Sequence, residues 1–213
     1  MMTVRQAGVP AALAQAPLRT VRTRDVTIYA HPRPQMARLE GHGLLHRLAN
    51  GFFTVIPQDR VAMRWMPTLE GAAAGVGAAE FGVGQYTLMG LTAARALRVA
   101  PRALALAFIA APRRRQDLEL TDRQATIRFL VRDLTKMRVE MVQTDLGPCL
   151  ATTPEQTVLD VAHLRRTGGL EAEALDVIRA LLPRCDDAAL ETIAREQRLG
   201  RALAYVRKRV RAE

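Results

Sequence analysis

The sequence predicts an α+β chain, with a small N-terminal winged helix-turn-helix over residues 1–57 and a mixed α/β domain over 65–213 that ends in helices. Three observations predict it. Short amphipathic stretches before residue 41 give way to two apolar runs joined by Asn50-Gly51, the strongest short-range hairpin signal. Beyond Pro57, strand-length apolar runs alternate with helical periods, as in a mixed α/β unit. After residue 153 the spacing is helical throughout.

In the N-terminal unit, Val9 to Leu18 has the composition of a short first helix that Pro17 ends. Thr23 offers a capping hydroxyl to a second, Arg24 to Ala30, with Val26 and Tyr29 turned inward. His31-Pro32 breaks it, because proline disfavours helical geometry at the residue before it. The third helix is read from Pro34 to Glu40, with Met36 and Leu39 inward and Arg33, Gln35 and Arg38 outward. Leu44–Leu48 and Phe52–Ile56 then form a hairpin, with a type I′ turn expected at Asn50-Gly51.

Pro57 to Arg60 is read as a linker. The helix expected over Thr68–Ala79 is interrupted by Gly71, Gly75 and Gly77, each costing up to about 1 kcal/mol relative to alanine, so the glycines mark close helix packing. Gly82-Val83-Gly84 fails the dinucleotide-binding fingerprint, having no strand before it and no suitably placed acid after it. A helix over Tyr86–Leu97 and a buried strand over Leu104–Ile109 follow, and Arg113-Arg114-Arg115 reads as a solvated loop. Strands are expected over Thr126–Arg132, Val139–Val142 and Cys149–Ala151. Thr153 caps the next helix, with Pro154 in its first position and Gln156 completing a capping box. The last three helices are read over 170–182, 187–195 and 199–211.

The net charge of +10 is concentrated at the ends: residues 1–60 and 195–213 each carry five more basic than acidic residues, and the segment between is balanced. Codon bias can favour arginine over lysine, but it does not dictate this placement. Localised positive charge suits a polyanion, since each neutralised phosphate releases condensed counterions, and arginine's planar fork fits phosphates and guanine edges. The expected partner is double-stranded DNA. Arg33, Gln35 and Arg38 would enter the major groove, while Arg22, Arg24, Arg47 and Asn50 would meet the backbone. Arg201, Arg207, Lys208, Arg209 and Arg211 form a second basic surface for DNA or an acidic partner. Cys149 and Cys185 have no C-x-x-C spacing, and the histidines at 31, 42, 46 and 163 show no metal pattern with them, so no metal or cofactor is expected. No apolar run approaches the roughly 18 residues of a membrane helix, and Pro10 interrupts the N-terminal apolar stretch, so neither a membrane partner nor a signal peptide is expected and the cytoplasm is the expected location.

Gly43-Leu44-Leu45-His46-Arg47-Leu48-Ala49-Asn50-Gly51-Phe52-Phe53 resembles the "G-L-L-x-R-L-x-x-G-x-Y" ending of the winged helix in AbiEi-type antitoxins. Tyr86 to Arg95 resembles that family's Ser/Thr-Ala-Leu helix, and Thr153-Pro154-Glu155-Gln156-Thr157-Val158-Leu159-Asp160 resembles its "T-P-E-R-T-L-L-D" helix start. Gln156 and Phe53 depart from the usual arginine and tyrosine, and the proline-rich approach to the third helix is also unusual. The resemblance implies a non-enzymatic antitoxin of a type IV toxin–antitoxin or abortive-infection system. Such a protein represses its own promoter repeats, with two copies binding co-operatively in one arrangement, and antagonises a co-encoded nucleotidyltransferase-like toxin.

Two alternatives stand beside it. One is a winged-helix transcription factor with a sensing domain and no toxin. The other is a metal-dependent nuclease using Asp133 and Glu140, against which counts the absence of a Glu-x-Lys pattern after Glu140.

Overall fold

The computed structural model describes residues 8–61, 63–100, 105–165 and 171–210. The chain is α+β, as expected. The N-terminal unit comprises α1 (Ala11–Ala14), β1 (Thr20–Arg22), α2 (Pro32–Gly41), β2 (Leu45–Ala49) and β3 (Phe52–Val55). Its three strands form an antiparallel sheet in the order β1-β3-β2.

This unit differs from the sequence expectation in four places. The first helix, read over Val9 to Leu18, is the single turn Ala11–Ala14, with a separate 3-10 turn at Pro17–Arg19. The second helix is absent: Thr20–Arg22 is a strand on β3, Thr23–Asp25 is one 3-10 turn, and the chain is irregular until Pro32. Val26 still reaches the small core with Leu13, Met36, Leu45, Phe53 and Val55, but Ile28 lies 45% exposed, so the apolar spacing there belongs to a loop. The helix α2 starts two residues earlier than expected, with His31 as its N-cap residue and Pro32 in its first turn, where a missing N–H costs nothing. At the hairpin tip Gly51 takes φ +81° but Asn50 does not take a positive φ, so the turn is not type I′; the strand register shifts between Arg47 and Ala49 instead.

The remainder contains α3 (Leu69–Phe81), β4 (Thr87–Leu88), α4 (Gly90–Ala96), β5 (Leu106–Ala111), β6 (Leu118–Glu119), β7 (Thr126–Val131), β8 (Val139–Thr144), β9 (Gly147–Thr152), α5 (Pro154–Leu164), α6 (Glu171–Leu181), α7 (Asp187–Glu196) and α8 (Gly200–Val210). Its six strands lie in the order β6-β7-β5-β4-β9-β8, with β5/β7 and β4/β9 parallel and the other pairs antiparallel. The helix read over Tyr86–Leu97 is a short strand followed by a shorter helix, because Thr87-Leu88 is captured between β5 and β9. The helices α5–α8 close over a second core built on Val158, Leu159, Ile178, Leu181, Leu190 and Ile193.

Capping explains two of the helix starts. Thr153 accepts from the Gln156 amide at 3.4 Å, and Pro154 occupies the first turn of α5. Gln156 does not close the expected box. Its buried amide donates to Asp160 at 3.1 Å and meets Gln197 at the end of α7, so the residue binds helices together. At α3, Thr68 accepts from Gly71 while its own hydroxyl donates to Asp145 in the β8–β9 turn, at 2.7 Å.

The helix α3 is buried on nearly every side, from Leu69 to Glu80, with Ala79 half-buried. Such a helix is small and apolar nearly all round, and its two buried acids, Glu70 and Glu80, each meet arginine. A Cβ at Gly75 would collide with the Thr20 hydroxyl of β1, one at Gly77 with the Tyr86 ring, and one at Gly71 with Asp145. These contacts bring the two sheets onto one core, in which Leu48, Ala49 and Phe52 of the hairpin pack with Ala72, Val76, Ile109, Ile127 and Phe129. Gly75→Ala should therefore destabilise the protein by about 1–3 kcal/mol in urea unfolding, overpacking outweighing the helix-propensity gain of about 1 kcal/mol. Gly41→Ala, where a Cβ meets nothing within 4 Å, is expected to be neutral or stabilising.

Candidate functional site

The end of α3 reaches the N-terminal sheet at Glu80, and an open groove of about 1170 Å³ runs between them. Its walls hold Arg22, Arg24, Arg33, Arg47 and Arg115, with His31, Asn50 and a single carboxylate, Glu80. Five of the seven residues expected to bind DNA thus converge on one concavity, drawn from β1, the following turn, α2 and the hairpin.

They are not equivalent. The guanidinium of Arg22 is mostly covered: Nε donates to Asp25 at 2.5 Å, and Nη1 lies 2.9 Å from Glu80 Oε2 without an aligned hydrogen bond. Arg47 is half-buried, donates in bidentate fashion to Glu40 at 2.5–3.1 Å and stacks over Phe53. Arg24, Arg33 and Asn50 are exposed at the rim. Successive residues of a helix are about 100° apart, which puts Arg33 and Ala37 on the groove flank of α2, Arg38 on its outer face opposite buried Met36, and Gln35 on the far flank, half-buried. Arg33, Gln35 and Arg38 therefore do not share one face. Among the described residues neither Arg33 nor Arg38 has an acidic partner.

Glu80 is the centre that sequence reasoning missed. Its side chain is 5% exposed and lies beside four guanidinium groups: Arg22 at 2.9 Å, Arg115 at 3.0 Å, Arg113 at 3.3 Å and Arg24 at 3.6 Å. Burial alone would raise its carboxyl, but the close positive charges of Arg115 and Arg22 outweigh burial and hold it below the usual glutamate range. Burial likewise works against the charge of Arg22, and its bond to Asp25 together with the charge of Glu80 more than restores it. Arg113 and Arg115 come from the run expected to be a solvated loop. Arg113 and Arg114 are exposed, as expected, but Arg115 lies over both Phe52 and Phe129 and is drawn inward, and Arg113 is steered over Phe81. The triple arginine was the available signal; a lone glutamate near a helix end gives none.

A second tie joins the hairpin to the body. His46 bonds Asp122 at 2.7 Å, and Thr121 N–H donates to the Leu48 carbonyl at 2.8 Å. Burial would raise the Asp122 carboxyl, but His46 and Arg123 pull it down to about 2.

At the other end of the chain Arg201, Arg207, Lys208 and Arg209 are exposed on α8, whose Ala202 and Val206 face the core. Arg207 pairs with Glu191 at 2.5 Å, and Arg209 lies over Tyr205. Arg211 falls outside the described residues. Asp133 is committed to capping a turn through Thr135, and Glu140 is exposed on edge strand β8. Among the described residues no group of three or more His, Cys, Asp or Glu is placed to hold a metal ion, and no helix is long and apolar enough to cross a membrane.

No family model matches the chain, and no curated protein matches it. Among solved structures, the RV2827C protein from Mycobacterium tuberculosis superposes with a TM-score of 0.58 at 16% identity, over 94% of this chain and 78% of that one. That likeness concerns the fold alone.

The Glu80 carboxylate offsets part of a dense positive cluster, so removing its charge leaves guanidinium groups repelling one another. Glu80→Gln should lower stability at pH 7 by about 1–3 kcal/mol, less than for a fully buried pair because the outer arginines are solvated. A depressed folded-state carboxyl stabilises above its unfolded value and loses that contribution as pH falls through the folded one. Urea unfolding should accordingly show the gap between wild type and variant closing below about pH 4.

Proposed function

We propose that the chain is a non-enzymatic DNA-binding regulator of the AbiEi antitoxin type, repressing its own promoter through the N-terminal unit and antagonising a co-encoded nucleotidyltransferase-like toxin through the α/β body. The observation that carries the DNA-binding half is the convergence of Arg24, Arg33, Arg47 and Asn50 on one open groove, with Arg33, Pro34 and Ala37 of α2 exposed along its rim. A strand, a turn, a helix and a hairpin that pairs back onto the first strand read as a winged helix whose second helix has shrunk to one 3-10 turn. In this reading α2 enters the major groove and the Asn50-Gly51 tip follows the backbone. The antitoxin half is supported by the likeness of Thr153–Asp160 to the family's helix start and by the second basic surface on α8, which offers an acidic partner a place to bind.

The test is a gel shift on the protein's own upstream DNA at two salt concentrations with a scrambled competitor. The wild type should bind in a salt-sensitive manner that resists the competitor. Replacing Arg33 and Arg38 together with alanine should weaken specific binding about 10–100-fold, since a good base contact is worth roughly 1–3 kcal/mol, with the unfolding midpoint unchanged. Undiminished affinity of that variant would reject α2 as the reading helix. Co-expression with the neighbouring nucleotidyltransferase gene should restore growth; failure to do so would reject the antitoxin half while leaving the repressor half standing.

A further inference from the structure

Four guanidinium groups crowd Glu80, but they divide into two pairs. Arg22 and Arg115 have side chains only 15% and 19% exposed and hold Oε2 at 2.9 and 3.0 Å. Arg24 and Arg113 have side chains 69% and 59% exposed and reach Oε1 at 3.6 and 3.3 Å, longer than charge-assisted hydrogen bonds run. Asp25, bonded to Arg22 and 4.0 Å from Arg24, and Glu80 together neutralise two of the four charges, and the surplus lies on the solvent side with the outer pair. Both outer nitrogens flank one oxygen, which puts them no more than 6.9 Å apart, the two distances end to end. A phosphate group presents oxygens on opposite sides and can accept from both at once. Arg113 is also aimed in advance: its guanidinium lies over Phe81 at 5.1 Å and donates to the Glu80 carbonyl.

We infer that Arg24 and Arg113 form a phosphate subsite, in which a backbone phosphate of bound DNA takes over the outer pair's weak contacts with Glu80 while Arg22 and Arg115 keep the carboxylate in place. The inference rests on the DNA-binding reading and extends it: the α/β body, through the loop after β5, adds a sequence-independent contact to the N-terminal unit's footprint. A contact of this kind contributes to affinity and salt dependence and carries no base specificity.

Fluorescence anisotropy with the upstream duplex and a random duplex, over a salt series, tests it. Arg113→Ala should weaken binding to both duplexes about equally, some 3–10-fold, and reduce the slope of log affinity against log salt by about 1, leaving the ratio between the duplexes unchanged. Arg114→Ala, which removes the same charge from the neighbouring exposed residue outside the cluster, is the control and should change the slope by less than half as much. Equal effects of the two would overturn the subsite in favour of diffuse charge. An unchanged slope for Arg113→Ala, with wild-type binding intact, would overturn it while leaving the DNA-binding reading in force. Failure of the wild type to bind either duplex would reject that reading itself. Inorganic phosphate at matched ionic strength identifies the ligand's source: phosphate binding that Arg113→Ala abolishes without loss of duplex affinity would contradict the backbone assignment.

Discussion

The close approach of the N-terminal sheet to α3 is the constraint on which the rest of the molecule depends. Only a helix with glycine where Thr20 and Tyr86 press against it can lie between β1 and the six-stranded sheet at this distance. The hairpin then joins the body's core through Leu48, Ala49 and Phe52. Had the helix carried larger side chains, β1 would not meet the end of α3, and the N-terminal unit would keep to the body only through its linker and the hairpin's contacts with Thr121 and Asp122. Small residues here cost helix propensity and gain contact, and the burial of nearly the whole helix shows which effect prevails.

That contact produces an unusual electrostatic situation. Glu80, nearly withdrawn from water, meets arginines from β1 and the turn after it on one side and from the loop after β5 on the other. A lone buried carboxylate would be costly; with several guanidinium donors it stays charged and pins the two units together. The same arrangement leaves more positive than negative charge at the mouth of the groove, where a polyanion would be drawn in. Arg22 and Arg115 thus contribute to structure, while Arg24, Arg33 and Arg113 keep donors turned toward solvent.

How much of this was legible follows from the range of the interactions. The Thr153-Pro154 start of α5 and the hairpin at Asn50-Gly51 rest on local chemistry, and glycines inside a helical stretch signal close packing without naming the partner, so each was readable in the sequence. The stretch 24–30 was misread because Val26 and Tyr29 have helical spacing, whereas the backbone there is decided by β1, three residues whose pairing partner lies some thirty positions away. Thr87-Leu88 was absorbed into a helix for the same reason, its strand character coming from β5 and β9. In the groove, the basic residues of β1, α2 and the hairpin were identified from charge. Their division into buried and free members was not, because it depends chiefly on Glu80, which lies far along the chain from Arg22 and Arg24 and meets them only in the fold. The loop Arg113–Arg115 is solvent-facing at Arg113 and Arg114, as its composition implies, whereas nothing nearby in sequence announces the rings of Phe52 and Phe129 that draw Arg115 inward.

The central claim is that this groove is where nucleic acid lies. Hydrogen–deuterium exchange on the full chain, with and without its own upstream duplex, tests it most directly. Slowed exchange is expected in three segments that are far apart in sequence but border the groove: the turn at 22–25 with the start of α2, the hairpin tip at 47–51, and the loop at 113–115. Protection confined to α8, or absent from all three segments while the duplex is bound, would contradict it.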